Sequence, residues 1–254
     1  MNDDPVVIVG AKRTPLGSFG GELSSLSAAE LGSVAISGAI ENAKIEPITI
    51  DDVIMGVVLP AGQGQAPARQ ASLGAGISIT VGATTINKMC GSGMKAAMLA
   101  HDNIVSGTHD IMVAGGMESM SNAPYLLPNP RKGLRMGHVQ LVDHMYFDGL
   151  EDVYDKGKLM GVFAENAAEA HQFTRESQDE YSIRSLKRAL KASRNGSFDN
   201  EIVPITVKER DATEVIESDE QPKRAKMEKI PKLSPAFREG GTVTAANSSS
   251  ISDG

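Results

Sequence analysis

The chain has 254 residues, 41% of them hydrophobic and 22% charged, which is enough for one large or two modest domains with a packed core. A formal net charge of −7 argues against a general nucleic-acid binder, which needs a basic face, and the absence of Trp argues against base-stacking platforms. One Cys, an acidic start without leader character and no apolar run near the roughly 18 residues of a membrane span predict a cytoplasmic protein with no membrane partner.

In chain order, "VVIV" (6–9) reads as a short buried strand ended by Gly10. Residues 23–43 place Leu26, Leu31, Val34, Ala35 and Ile40 at helical spacing. "DDVIMGVVLP" (51–60) predicts a second strand, "QAPARQASLGAG" (65–76) a short helix, and the β-branched "ATTINKM" (83–89) a strand leading into Cys90. Beyond it Met94, Ala97, Met98, Ile104 and Val105 share one helical face, and "DIMVAGGMESM" (110–120) returns to a strand. Alternating strands and helices predict a layered α/β core.

From Ser121 the style changes. "NAPYLLPNPRKGLRMGH" is too rich in Pro and Gly, and too long, for a simple connection. Helices are expected at "GVFAENAAEAHQF" and at "RESQDEYSIRSLKRALKASR", the second capped by Thr174 and stopped at Asn195-Gly196. Residues 208–239 are highly charged, and "GGTVTAANSSSISDG" returns to small residues. The expected division is an α/β core at 1–120, an inserted domain at 121–240, and a return to the core at 241–254.

The single Cys lies in "NKMCGSGMKAAM", between a strand and a helix start. Thiolate is the reactive form of cysteine, and a helix N-terminus favours an adjacent anion by roughly 0.3–1 kcal/mol. The same N–H groups can hold the oxyanion of a thioester under attack, and Gly91 and Gly93 let a ligand approach the backbone. A buried structural Cys, packing as a small hydrophobe, is the competing reading of spacing alone.

The segment "NKMCGSGMKA" resembles the nucleophile segment of the thiolases, and the likeness continues in "GAKRTPLGSFGG", "GGMESMSNAPY", "RMGH" and "GTVTAANSSSISDG". The resemblance implies an α/β thiolase fold, of which this chain covers the first of two similar domains and its inserted α-rich loop domain. It implies Cys90 as the acyl-carrying nucleophile of an acetyl-CoA acetyltransferase, with acetyl-CoA and acetoacetyl-CoA as substrates and no further cofactor. By motif position it implies coenzyme A contacts at Arg224, Lys229 and Ser249, with Leu150 and Met160 lining the same tunnel. A solvated charged face is the alternative for Arg224 and Lys229. It further implies a homo-oligomer, dimer or tetramer, for the full-length protein.

Two departures bear on these expectations. Leu159 stands where short-chain members commonly carry His, which opens a longer-chain 3-ketoacyl-CoA thiolase as a lesser alternative. The second domain's Gly-His-Pro and Cys-x-Gly motifs are absent from the sequence, so this chain alone is expected to be inactive; if it ends naturally at Gly254, a non-catalytic coenzyme A-binding or assembly module is the alternative. Tyr154, Ala245, Ala246 and Ser248 resemble positions that hold potassium in some members, but carbonyl-dominated sites leave no sequence signature, and no metal is expected. Glu118 in "GGMESM" lacks the Lys-Ser/Thr pair of a phosphate loop and reads as a strand end near the nucleophile.

Overall fold

The computed structural model describes residues 6–209 and 212–254. In chain order its strands and α-helices are β1 (Gly17–Ser18), α1 (Ala28–Ala43), β2 (Asp52–Gly56), α2 (Pro67–Gly74), β3 (Gly82–Ile86), α3 (Ser92–Val105), β4 (Met112–Gly116), β5 (Tyr125–Leu126), β6 (Val142–Asp143), α4 (Met160–Ala170), α5 (Arg175–Arg194), β7 (Ile205–Glu209), β8 (Ala212–Ile216), α6 (Glu220–Arg224) and β9 (Ser252–Asp253). They fall into two compact units. Unit 1 holds the residues up to Ala123, Phe198–Ser218 and Ser252–Gly254; unit 2 holds Pro124–Ser197 and Asp219–Ile251.

Unit 1 is built on a three-stranded parallel sheet ordered β3-β2-β4, with Gly56 at the end of β2 registered against Ile86 and Gly116. The helices around it have local causes. Ser27 and Glu30 form a reciprocal capping box at the start of α1, and Pro67 opens α2 where its missing N–H costs nothing. Ile36 and Ile40 of α1 and Ala68 and Ala71 of α2 bury against Val53 and Met55 of β2. Full burial of each large aliphatic side chain contributes about 1.5–3 kcal/mol. No helix among the described residues is long and apolar enough to cross a membrane.

The expected boundaries shift in two places. The segment 198–218, assigned from sequence to the insertion, belongs to unit 1: β7 and β8 form an antiparallel hairpin whose Ile205, Val207 and Ile216 pack on Leu23 and Leu31. Residues 241–251, expected in the core, cluster with unit 2, because Glu165 of α4 binds Thr242 and Val243. Residues 1–5 of the expected core and 210–211 of the expected insertion lie outside the described residues.

The first strand and the helix face need correction as well. Residues 6–9 belong to no strand; Val7, Ile8 and Val9 are exposed and line a cleft of about 790 Å³ bordered by α1, α3 and the free edge of β4. The apolar run is there, but among the described residues it forms none of the strands. On α3 the predicted apolar face is open, with Met94, Met98 and Val105 exposed. The small residues Ser92, Ala96 and Ala100, spaced by four, are the buried ones.

Unit 2 contains a short β5–β6 ladder, a π-helical turn at Met145–Leu150, and α4, α5 and α6. The Thr174 hydroxyl accepts from the Ser177 N–H and caps α5 as the sequence predicts; Asn195 closes it and Gly196 follows at φ +76°.

Candidate active site

Cys90 stands one residue before Gly91, the N-cap of α3, and is exposed. That placement removes the buried-hydrophobe reading. The turn carrying it is held by side chains that flank it. The Ser92 hydroxyl donates to the Met89 carbonyl at 2.5 Å and accepts from the Lys88 N–H at 2.8 Å, while Asn87 Oδ1 accepts from the Met89 N–H at 2.9 Å. Met89 is thereby kept at φ +48°, a left-handed conformation that side chains disfavour. Strain of this sort persists only where surrounding contacts over-determine it.

The sheet sets where this turn sits. A Cβ on Gly56 would lie 2.5 Å from the Ser92 Cβ and 2.8 Å from the Gly93 N, and Gly93 and Gly116 also touch backbone to backbone. Glycine at these positions lets the first turn of α3 sit directly on the ends of β2 and β4. Cys90 therefore stands at the carboxyl ends of a parallel sheet, the usual ligand edge of open α/β structures.

Glu118, just past β4, reaches the same edge. Its carboxylate accepts the Val58 N–H at 2.7 Å and the Leu59 N–H at 3.3 Å, and its backbone exchanges two 2.9 Å hydrogen bonds with Gly254. Asp253, fully buried, accepts from the Ser121 N–H and hydroxyl. The sequence placed Glu118 near the nucleophile; it did not expose the parts played by Asn87 and Ser92. An Asn two residues before the turn N–H it accepts from is the signal that identifies Asn87.

The five remaining candidates all lie in unit 2. Leu150 ends the π-helical turn and Met160 opens α4, each one residue outside the isolated antiparallel bridge between Glu151 and Leu159. Leu150 is half-buried, Met160 exposed. Arg224 ends α6 and donates to Glu220 at 2.6 Å, with most of its side chain still open to solvent. Lys229 is exposed on the 3-10 segment Met227–Lys232, and Ser249 is exposed on the loop that precedes β9. Tyr154 is almost fully exposed, and among the described residues no group of His, Cys, Asp and Glu is arranged to hold a metal ion.

The loop bearing Ser249 is fixed by charges that sequence reading missed. Glu165, buried in α4, accepts the Thr242 and Val243 N–H groups at 2.8–2.9 Å. Burial pushes its carboxyl up, but those N–H groups, the Thr242 hydroxyl and the charge of Arg238 together hold it below the ordinary value. Asn247 accepts from the Thr244 N–H and donates to Asp179, which Arg175 pairs at 2.7 Å. Two acids, Glu165 and Glu169, in the small-residue run "GVFAENAAEA" were the available sequence signal.

Comparison with known proteins gives a consistent result. A family model described as thiolase, N-terminal domain, matches residues 6–254. Acetyl-CoA acetyltransferase 2 of Arabidopsis thaliana is 52% identical over 259 residues, spanning 100% of this chain and 64% of its own length. The mitochondrial acetyl-CoA acetyltransferase of Bos taurus is 52% identical over 98% of this chain and 59% of its own length. The crystal structure of the Ascaris suum Acat5 thiolase in complex with coenzyme A superposes with a TM-score of 0.90 at 42% identity, covering 97% of this chain and 63% of that one. The chain thus spans less than two thirds of the length of these relatives.

Proposed function

The chain belongs to the thiolase family, and from that premise we propose that it carries the nucleophile of an acetyl-CoA C-acetyltransferase. The observation that carries the reading is Cys90 itself: exposed, on a strained turn, in front of a helix and at the carboxyl ends of a parallel sheet. The Cys90 sulfur attacks the thioester carbonyl of acetyl-CoA, the carbon–sulfur bond to coenzyme A breaks, and the departing thiolate takes up a proton. The acetyl group, now a thioester of Cys90, is attacked by the α-carbon of a second acetyl-CoA, which has given up a proton. The products are acetoacetyl-CoA and the free Cys90 thiol; the reverse direction is thiolysis.

In this reading Leu150, Met160, Arg224, Lys229 and Ser249, which all belong to unit 2, contact coenzyme A, an assignment supported by motif position. The groups that move protons to and from the substrates belong, as the family resemblance implies, to a second domain. The reading includes a cytoplasmic homo-oligomer that needs no cofactor beyond its thioester substrates. Leu159, at the N-cap of α4, makes acyl-chain length a matter for assay.

Intact-mass measurement after incubating the full-length protein with acetyl-CoA tests the reading. One acetyl adduct, lost in Cys90→Ser, is the expected result; no adduct, or one that survives the substitution, refutes it. Groups that act as a unit are strongly non-additive, so the 254-residue chain alone should catalyse thiolysis at least about a thousandfold more slowly than the full-length protein.

A further inference from the structure

We propose that Glu118 is a positioning residue for the Cys90 turn, acting through Val58 and Asn87. β2 ends at Gly56, and beyond it the N–H groups of Val58 and Leu59 have left the ladder; the Glu118 carboxylate accepts both. Across the same peptide segment, the Val58 carbonyl accepts from Asn87 Nδ2 at 3.2 Å. The other end of that amide, Oδ1, accepts the N–H of Met89, the residue held at φ +48° immediately before Cys90.

A charged acceptor therefore fixes a backbone segment, that segment fixes an amide, and the amide fixes the strained turn. The links are alternately donors and acceptors, so each polarises the next in the same sense. Ser92 holds the turn from the helix side, and the Glu118 series holds it from the sheet side. Without the second hold, Met89 can relax toward ordinary backbone angles and carry Cys90 away from the N-terminal field of α3. A plain end cap for β2 would stabilise the fold without this coupling.

The inference rests on Cys90 as the nucleophile for its consequence, but its test uses no coenzyme A. The rate of Cys90 alkylation by iodoacetamide is measured on the 254-residue chain for wild type, Glu118→Gln, Asn87→Ala and the double variant. The Gln variant keeps one acceptor and turns an N–H₂ group toward the second donor. Losing the helix-end field should slow alkylation about threefold in Glu118→Gln, and the same substitution should add nothing further once Asn87 is Ala, the non-additivity that coupled residues show. Met89 amide exchange should accelerate with Val58 in Glu118→Gln, while α1 is unchanged. If Glu118→Gln fails to fold, Glu118→Asp, which keeps the charge and shortens the reach, is carried through the same cycle. Ser27→Ala, which removes a cap of α1, serves as the stability control and should alkylate normally. An unchanged rate in the Glu118 variant, or an equal loss with and without Asn87, overturns the inference. Coupling with no acetyl adduct on the full-length protein would instead leave the inference standing and remove the proposed function.

Discussion

Each of the two units is stabilised internally by different chemistry. Unit 1 buries a continuous set of aliphatic side chains from α1, α2 and the parallel sheet and, among the described residues, Asp253 as its one buried acidic residue. Unit 2 buries few apolar residues among those described, Ala168, Ile230 and Val243, but four carboxylates: Glu165, Asp179, Asp219 and Glu220. Apolar burial is non-directional and tolerates volume-conserving change, whereas a buried charge is stable only while its hydrogen bonds are complete. The proposed nucleophile is mounted on the first kind of structure, the candidate coenzyme A contacts on the second.

The sharpest way to break this contrast is to remove a charge from unit 2. Glu165→Ala leaves the Thr242 and Val243 N–H groups without their acceptor and should cost about 3 kcal/mol. Hydrogen exchange should show the loss in α4, α5 and residues 241–251 while α1 and β2 keep their protection. Equal loss in both units would mean that they unfold as one.

The corresponding cut in unit 1 is steric. Gly56→Ala sets a methyl group against the Ser92 backbone, which cannot yield without moving α3, at a cost of about 1–3 kcal/mol. Here unit 1 should lose denaturant stability, and Cys90 alkylation should change with it. A tolerated substitution with normal alkylation would show that the close approach is not needed.

Acid should sharpen the comparison more gently. The Glu165 carboxyl is held below its ordinary value of 4.5 in the folded chain. Its contribution is therefore complete above about pH 4.5 and is lost as pH falls through the lower folded value, where the native state must take up the proton. Protection factors in α4 and α5 should fall in that window before those of β2, and simultaneous loss would contradict the division. The smallest effects are the helix caps, one in each unit: Ser27→Ala in unit 1 and Thr174→Ala in unit 2 should each cost about 1 kcal/mol, because a cap is local. Unequal costs measured by denaturant unfolding would mean that unit context outweighs the cap.

The same contrast explains what was legible in the sequence. Periodicity and turn residues located α1, α2, α3, α5 and the three sheet strands, since each depends on local pattern. The cysteine motif located the turn and its exposed thiol. The β7–β8 hairpin was missed because its charged flanks mask the alternation of Ile205, Val207 and Ile216, whose partners Leu23 and Leu31 are remote in sequence. The buried face of α3 was misassigned because the pattern favours large side chains, while the sheet's glycines select small ones. The polar fastening of residues 241–247 was not legible at all, because it depends on which distant side chain meets which backbone N–H.

The pairing of β1 with β9 joins Gly17 to Asp253, and the hairpin on Leu23 and Leu31 also comes from late in the chain. During synthesis at roughly 5–20 residues per second, tens of seconds separate the emergence of these partners from the ribosome. The early strands and helices can form the parallel sheet in that interval, but Ser121 must wait for Asp253 and Glu118 for Gly254. Biogenesis thus has a built-in order: the helix that follows Cys90 can reach its seat first, and Ser252–Gly254 lock the backbone beside it later.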